Sequence, residues 1–76
     1  MPFVQVFTEA DQTELQHVIK EINKRIPLGG YVGENRLIGE LVRLGVDERL
    51  VRRALVFLVS SQDYEYKRAR RTLHRI

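Results

Sequence analysis

No cysteine occurs in the chain. That removes any disulfide framework and any thiolate metal site, and makes an intracellular home the expectation. Long apolar runs are missing too. Stretches such as Ala54–Val59 fall far short of the roughly twenty residues a membrane-crossing helix needs. Met1-Pro2-Phe3 lacks the basic start and extended apolar segment of a signal peptide. No Gly-Lys-Ser/Thr follows Gly29, Gly30 or Gly33, so there is no phosphate loop. His17 and His74 have no nearby cysteine and no regular ligand spacing. Glu9, Asp11 and Glu14 read as the acidic first turns of a helix rather than a catalytic pair. No catalysis, no metal and no cofactor are expected of this segment.

What is present is a modest soluble chain with its charge sorted. Seventy-six residues with 43% hydrophobic and 30% charged content suit one small domain and argue against disorder. Residues 36–76 carry ten Lys/Arg against five Asp/Glu, or +5, and residues 1–35 carry three against five, or −2, which sum to the net +3. A pI near 9.7 that arises from one half of the chain points to a directed basic face.

The apolar spacing predicts an N-terminal arm over 1–7 (Phe3, Val4, Val6, Phe7) and a first helix over 8–26. Thr8 is its N-cap, and Leu15, Val18, Ile19, Ile22 and Ile26 form its buried stripe. Pro27 ends that helix and Gly29-Gly30 turn the chain. Tyr31-Val32 has room only for a very short strand. A second helix is expected over 34–44, with Leu37, Ile38, Leu41, Val42 and Leu44 on one face and Gly45 in a left-handed C-terminal cap. A third runs over 47–60, capped by Asp47, with Leu50, Val51, Ala54, Leu55 and Leu58 inward. Two helices joined by so short a glycine-containing turn read as helix-turn-helix.

From Tyr64 the period changes to two. Tyr64 and Tyr66 fall on one side of a strand, and Glu65 and Lys67 on the other. The reversal is expected at 68–71. Neither glycine nor asparagine occurs there, so a longer loop built on a type I turn fits better than a two-residue primed turn. The fold class is therefore mainly α with small β, a single winged helix-turn-helix over 1–76 whose two-stranded wing spans 64–76.

On the third helix Arg49, Arg52, Arg53 and Val56 recur at i, i+3, i+4, i+7, opposite the core stripe. Guanidinium forks can pair with phosphates or with acidic side chains of a partner, or simply keep a face wet. Val56 is out of place on a phosphate-binding surface and hints at protein contact. The wing adds Lys67, Arg68, Arg70, Arg71 and Arg75, a concentration suited to a nucleic-acid backbone. Tyr64 and Tyr66 can serve as stacking platforms or as core tyrosines with wet hydroxyls.

Lys24-Arg25, Gly29 ahead of Val32, Leu37-Ile38, and the ending Tyr66-Lys67-Arg68 through Arg70-Arg71-Thr72-Leu73-His74-Arg75 stand in a telling order. From Phe7 to Ile76 the chain resembles the C-terminal winged-helix domain of the fifth subunit of the eukaryotic minichromosome maintenance replicative helicase. The resemblance marks a glycine at the corner into the wing, where this chain has Gln62.

That resemblance implies a parent larger than the segment: a nuclear subunit of a six-membered ring that hydrolyses ATP with magnesium and unwinds DNA. Its ATP site and arginine finger lie upstream, with no counterpart here. The implied role is a regulatory and interaction module of helicase loading and DNA replication. It would make weak, non-specific contact with the DNA backbone and meet other subunits and loading factors, with no membrane involved. A purely protein-docking module, seated on a loading factor or a neighbouring ATPase domain without binding DNA, is the alternative.

Overall fold

The computed structural model describes residues 9–76, with side chains from residue 12 onward. The apolar arm, the Thr8 cap and the side chains of Glu9 and Asp11 lie outside the described residues. Helix α1 is Glu9–Arg25. Its Val18, Ile19 and Ile22, with Ile26 just beyond, are buried, while Leu15 is half-buried at the edge of the core. Pro27 disfavours helical geometry at the residue before it, so the helix stops. Gly29, at φ +79°, then closes a turn in which the Gly30 N–H donates to the Pro27 carbonyl at 2.8 Å.

Strand β1, Tyr31–Gly33, leads directly into α2, Glu34–Arg43. Gly33 has no side chain to cap this helix, and the Glu34 N–H instead donates to the Arg71 carbonyl at 2.8 Å. At the far end Gly45 sits at φ +93°. Its N–H reaches the Val42 carbonyl at 2.9 Å, and the Val46 N–H reaches Leu41 at 3.1 Å. This paired bonding is a Schellman cap. Helix α3, Glu48–Ser60, starts where the Asp47 carboxylate accepts the Arg49 N–H at 2.8 Å.

The exit from α3 repeats the device. The Gln62 N–H donates to Val59 and the Asp63 N–H to Leu58, both at 3.1 Å, with Gln62 at φ +66°. The corner marked for glycine is thus a second Schellman cap, with an L-residue in the left-handed position. Strands β2, Tyr64–Lys67, and β3, Thr72–Arg75, follow. The sheet has the order β1-β3-β2, antiparallel throughout, with Tyr31 opposite His74 and Tyr66 opposite Leu73.

Three helices and this small sheet make the winged-helix arrangement expected from the sequence. Ile22, Leu37, Leu41, Val51 and Ala54 are wholly buried where α1 and α2 pack on α3, and Tyr64 and Leu73 close the core from the sheet. Val42 and Leu44 depart from expectation by lying exposed. Leu37, Ile38 and Leu41 already fill the inward stripe of α2. Val42 is a further 100° round the helix, and Leu44 caps an end where the chain turns away.

Candidate functional site

The outward face of α3 is where the sequence concentrates its candidates, and the structure divides them. The Arg52 Nε pairs with Glu48 at 3.2 Å, and its Nη1 lies 3.9 Å from Glu34. Arg49 and Arg53 are exposed. Val56, 66% exposed, is not an isolated misfit. It rims a groove between α3 and the sheet, holding about 460 Å³ and lined by Leu55, Val59, Ser60, Tyr66 and Leu73 as well as Glu34 and Arg52. Val59, Tyr66, Leu73 and Glu34 were missed by sequence reasoning as parts of this site. The available signal was Val56, an apolar residue among arginines, with Val59 one helical turn further on.

The Tyr66 hydroxyl donates to the Glu34 carboxylate at 2.7 Å. That bond, which favours the neutral phenol, is the main reason the Tyr66 pKa lies above its ordinary value. Burial and the Glu34 charge add to the rise, while the charges of Arg71 and Arg68 oppose it.

Within the wing, Lys67 pairs with Glu65 at 2.9 Å on the outer sheet face. The bond holds the Glu65 carboxyl below, and the Lys67 amine above, their usual ranges. Lys67 stands opposite Thr72, so the hairpin loop is Arg68–Ala69–Arg70–Arg71. Two long turn bonds form it, Arg70 N–H to Lys67 O at 3.3 Å and Arg71 N–H to Arg68 O at 3.4 Å, and Arg71 ends it at φ +47°. A loop of stacked turns closing on a left-handed residue meets the expectation of a longer loop. Arg68, Arg70 and Arg71 are exposed, and no carboxylate among the described residues pairs with them.

Arg75 stands apart from the other cations of the wing. Its Nη1 donates to the backbone carbonyls of Ile26 at 2.7 Å and Asn23 at 3.1 Å, capping the C-terminus of α1, where a positive charge is favoured. Tyr64 beside it is core: 2% exposed, with its hydroxyl donating to the Asn23 side chain at 2.7 Å. Burial raises its pKa. On the outer face the Tyr31 ring stacks on His74 at 4.2 Å and 6°, and Glu65 lies 3.9 Å beyond the imidazole. Sequence spacing gave no sign of this stack, because strand register alone brings residues 31 and 74 together.

A second hollow of about 380 Å³ lies between α1 and the α2–α3 turn, where Val18, Val46 and Leu50 carry an acidic rim of Glu14, Glu21 and Asp47. His17 lines it. Among the described residues no group of three or more His, Asp or Glu is placed to hold a metal ion. The glycines form no phosphate cradle. A Cβ on Gly30 would meet the Pro27 carbonyl oxygen at 2.9 Å, so that glycine serves a tight turn.

The sequence profile of the family described as "MCM5, C-terminal domain" matches residues 17–75. The chain belongs to that family. Relatives named DNA replication licensing factor MCM5 come from Oryza sativa subsp. indica, 39% identical over 62 residues, and Arabidopsis thaliana, 36% over 62 residues. Each match covers 82% of this chain and 8% of the relative. The Drosophila melanogaster protein is 26% identical over 69 residues, covering 91% of the chain and 9% of its own length. The chain thus spans less than a tenth of the length of these relatives. No solved structure matches it. The family match runs from α1 to β3 and takes in the groove, the wing loop and the Gln62 corner alike.

Proposed function

We propose that this chain is the C-terminal regulatory and interaction module of a nuclear replicative-helicase subunit, contributing to helicase loading and DNA replication through weak, sequence-independent contact with the DNA backbone. Membership in the MCM5 C-terminal family supports the setting. The wing loop carries the DNA reading. Arg68, Arg70 and Arg71 present three exposed guanidiniums in four residues, whereas Arg52 and Lys67 already hold carboxylates and Arg75 holds α1. Arg49 on α3 is a further guanidinium that can donate hydrogen bonds to a phosphate. No Asn or Gln stands on the outward stripe Arg49, Arg52, Arg53, Val56 to read adenine, so base discrimination is not expected. Other subunits of the ring and loading factors are the protein partners of such a module, and the nucleotide chemistry belongs to the rest of the parent.

Titration of the isotope-labelled domain against duplex and single-stranded DNA, mapped residue by residue, tests this. Shifts should centre on 68–71, and affinity should fall with salt at a log–log slope of about −3, the value for roughly three phosphates. Replacing Arg68, Arg70 and Arg71 with Ala should flatten that slope by about one per cation. Tight, salt-insensitive recognition of one sequence would overturn the reading, as would binding indifferent to the triple replacement. A total absence of shifts leaves the docking module, which the exposure of Val56 and Phe57 favours.

A further inference from the structure

The groove between α3 and the sheet has the wrong lining for a nucleic acid. Its floor is Leu55, Val59 and Leu73, apolar side chains that offer a phosphate no hydrogen bond, with Glu34, Arg52 and Ser60 as its polar lining. Val56 and Tyr66, 66% and 37% exposed, leave apolar area open on its rim. About 460 Å³ lies within the roughly 300–1,000 Å³ of clefts that take small ligands or a few side chains.

The charge around this apolar floor is one-sided. Arg52, Arg68, Arg70 and Arg71 against Glu34 and Glu48 leave +2. Glu34 is already engaged by the Tyr66 hydroxyl at 2.7 Å and by Arg52 at 3.9 Å. The Arg71 carbonyl accepts the Glu34 N–H at 2.8 Å, which sets the wing loop, with its exposed Arg68 and Arg71, beside this corner of the groove. We infer that this groove is a docking site for a short acidic, amphipathic segment of a partner protein. Two or three of its apolar side chains enter between Val56 and Tyr66, and its carboxylates meet Arg68 and Arg71. Helix-in-groove recognition has this form, with apolar anchors three or four residues apart giving the fit and charge giving the partner's sign. DNA and the segment then compete for Arg68 and Arg71. The inference does not rest on the DNA reading, since the anchors and the groove remain if DNA never binds.

The test is selection from a random peptide display library against the immobilised domain, followed by spectral mapping with a synthetic peptide of the recovered consensus. Recovered peptides should be rich in Asp and Glu, with apolar pairs three or four apart, and should shift Leu55, Val56, Val59 and Tyr66. Val56→Asp, at an exposed position, should weaken that peptide about ten-fold or more with the amide spectrum otherwise unchanged. Arg68→Ala with Arg71→Ala should weaken it several-fold and make it less sensitive to salt. The inference fails if the selection is empty, if the peptides are basic, if the shifts fall on the acidic hollow near His17, or if both variants bind as well as the parent. Concentration-dependent self-association that shifts the same residues would also overturn it, by making the occupant a second copy.

Discussion

Among the described residues two that are not glycine hold left-handed backbone, Gln62 at φ +66° and Arg71 at φ +47°. For an L-residue this conformation costs about 1–2 kcal/mol, while glycine forfeits about 0.4–1 kcal/mol through the freedom of its unfolded chain. Gln62→Gly should therefore stabilise the fold by about 0.5–1 kcal/mol, read as a higher midpoint in urea at unchanged slope. An unchanged or lower midpoint would mean that the side chain of Gln62 makes up for the strain. In the core, Leu41 is wholly buried between α2 and its neighbours. Leu41→Ala should lose about 2–5 kcal/mol, a large part of what so small a domain has.

Tyr64 gives the residue scale its pH dependence. Its folded pKa is raised, chiefly by burial, above the ordinary 10.0. The neutral phenol is thus favoured in the fold. The associated stability is fully present below pH 10.0 and is lost as pH climbs from there through the higher folded pKa. Alkaline unfolding should accompany phenolate absorbance, and Tyr64→Phe should flatten that limb. Because Tyr64→Phe also removes the bond to Asn23, stability at neutral pH should fall by about 1 kcal/mol.

Among the elements, the helices were the most legible in the sequence. Period 3.6 located all three, Gly45 and Asp47 named their own caps, and the change to period two at Tyr64 located the wing. Less legible was whatever depends on register. The three-stranded order, the Tyr31–His74 stack and the role of Arg75 all require β3 to lie between β1 and β2. Sequence alone grouped Arg75 with the basic loop because charge carries no direction. In the fold, strand alternation turns it inward beside Tyr64, and its guanidinium meets the end of α1. Arg75→Ala should therefore destabilise the domain by about 1.5–3 kcal/mol, the range for a bond to a charged donor. Arg70→Ala should change stability by no more than about 0.5 kcal/mol. Thermal unfolding of the two variants side by side checks this, and equal effects would refute the division.

The groove was half legible. Val56 looked odd against three arginines, but its companions come from α2, β2 and β3, which no helical wheel brings together.

Seen whole, the molecule is polarised. The wing loop carries three exposed cations with no carboxylate partner among the described residues, and the hollow at α1 and the α2–α3 turn is rimmed by Glu14, Glu21 and Asp47. This layout suits the proposed role as a module that meets differently charged neighbours. Removing it from a reconstituted helicase ring should leave basal ATP hydrolysis intact and impair loading on origin DNA. Loss of hydrolysis, or normal loading, would each count against the proposed role.

The position of β3 has a kinetic consequence. β1 and β2 never touch; each pairs only with the strand latest in the chain. Gly33 must therefore wait for Thr72 before any β1 hydrogen bond forms, whereas the helical turns need only neighbours. Long-range closure of this kind is entropically slow. Refolding should begin with local structure, the helix pair α2–α3 and the β2–β3 hairpin, and end with one late step that docks β1 on β3. At that step the Arg71 carbonyl reaches the start of α2 and Arg75 the end of α1. A chain cut before Thr72 would have no partial sheet to fall back on, and its two orphan strands would offer open edges to other molecules.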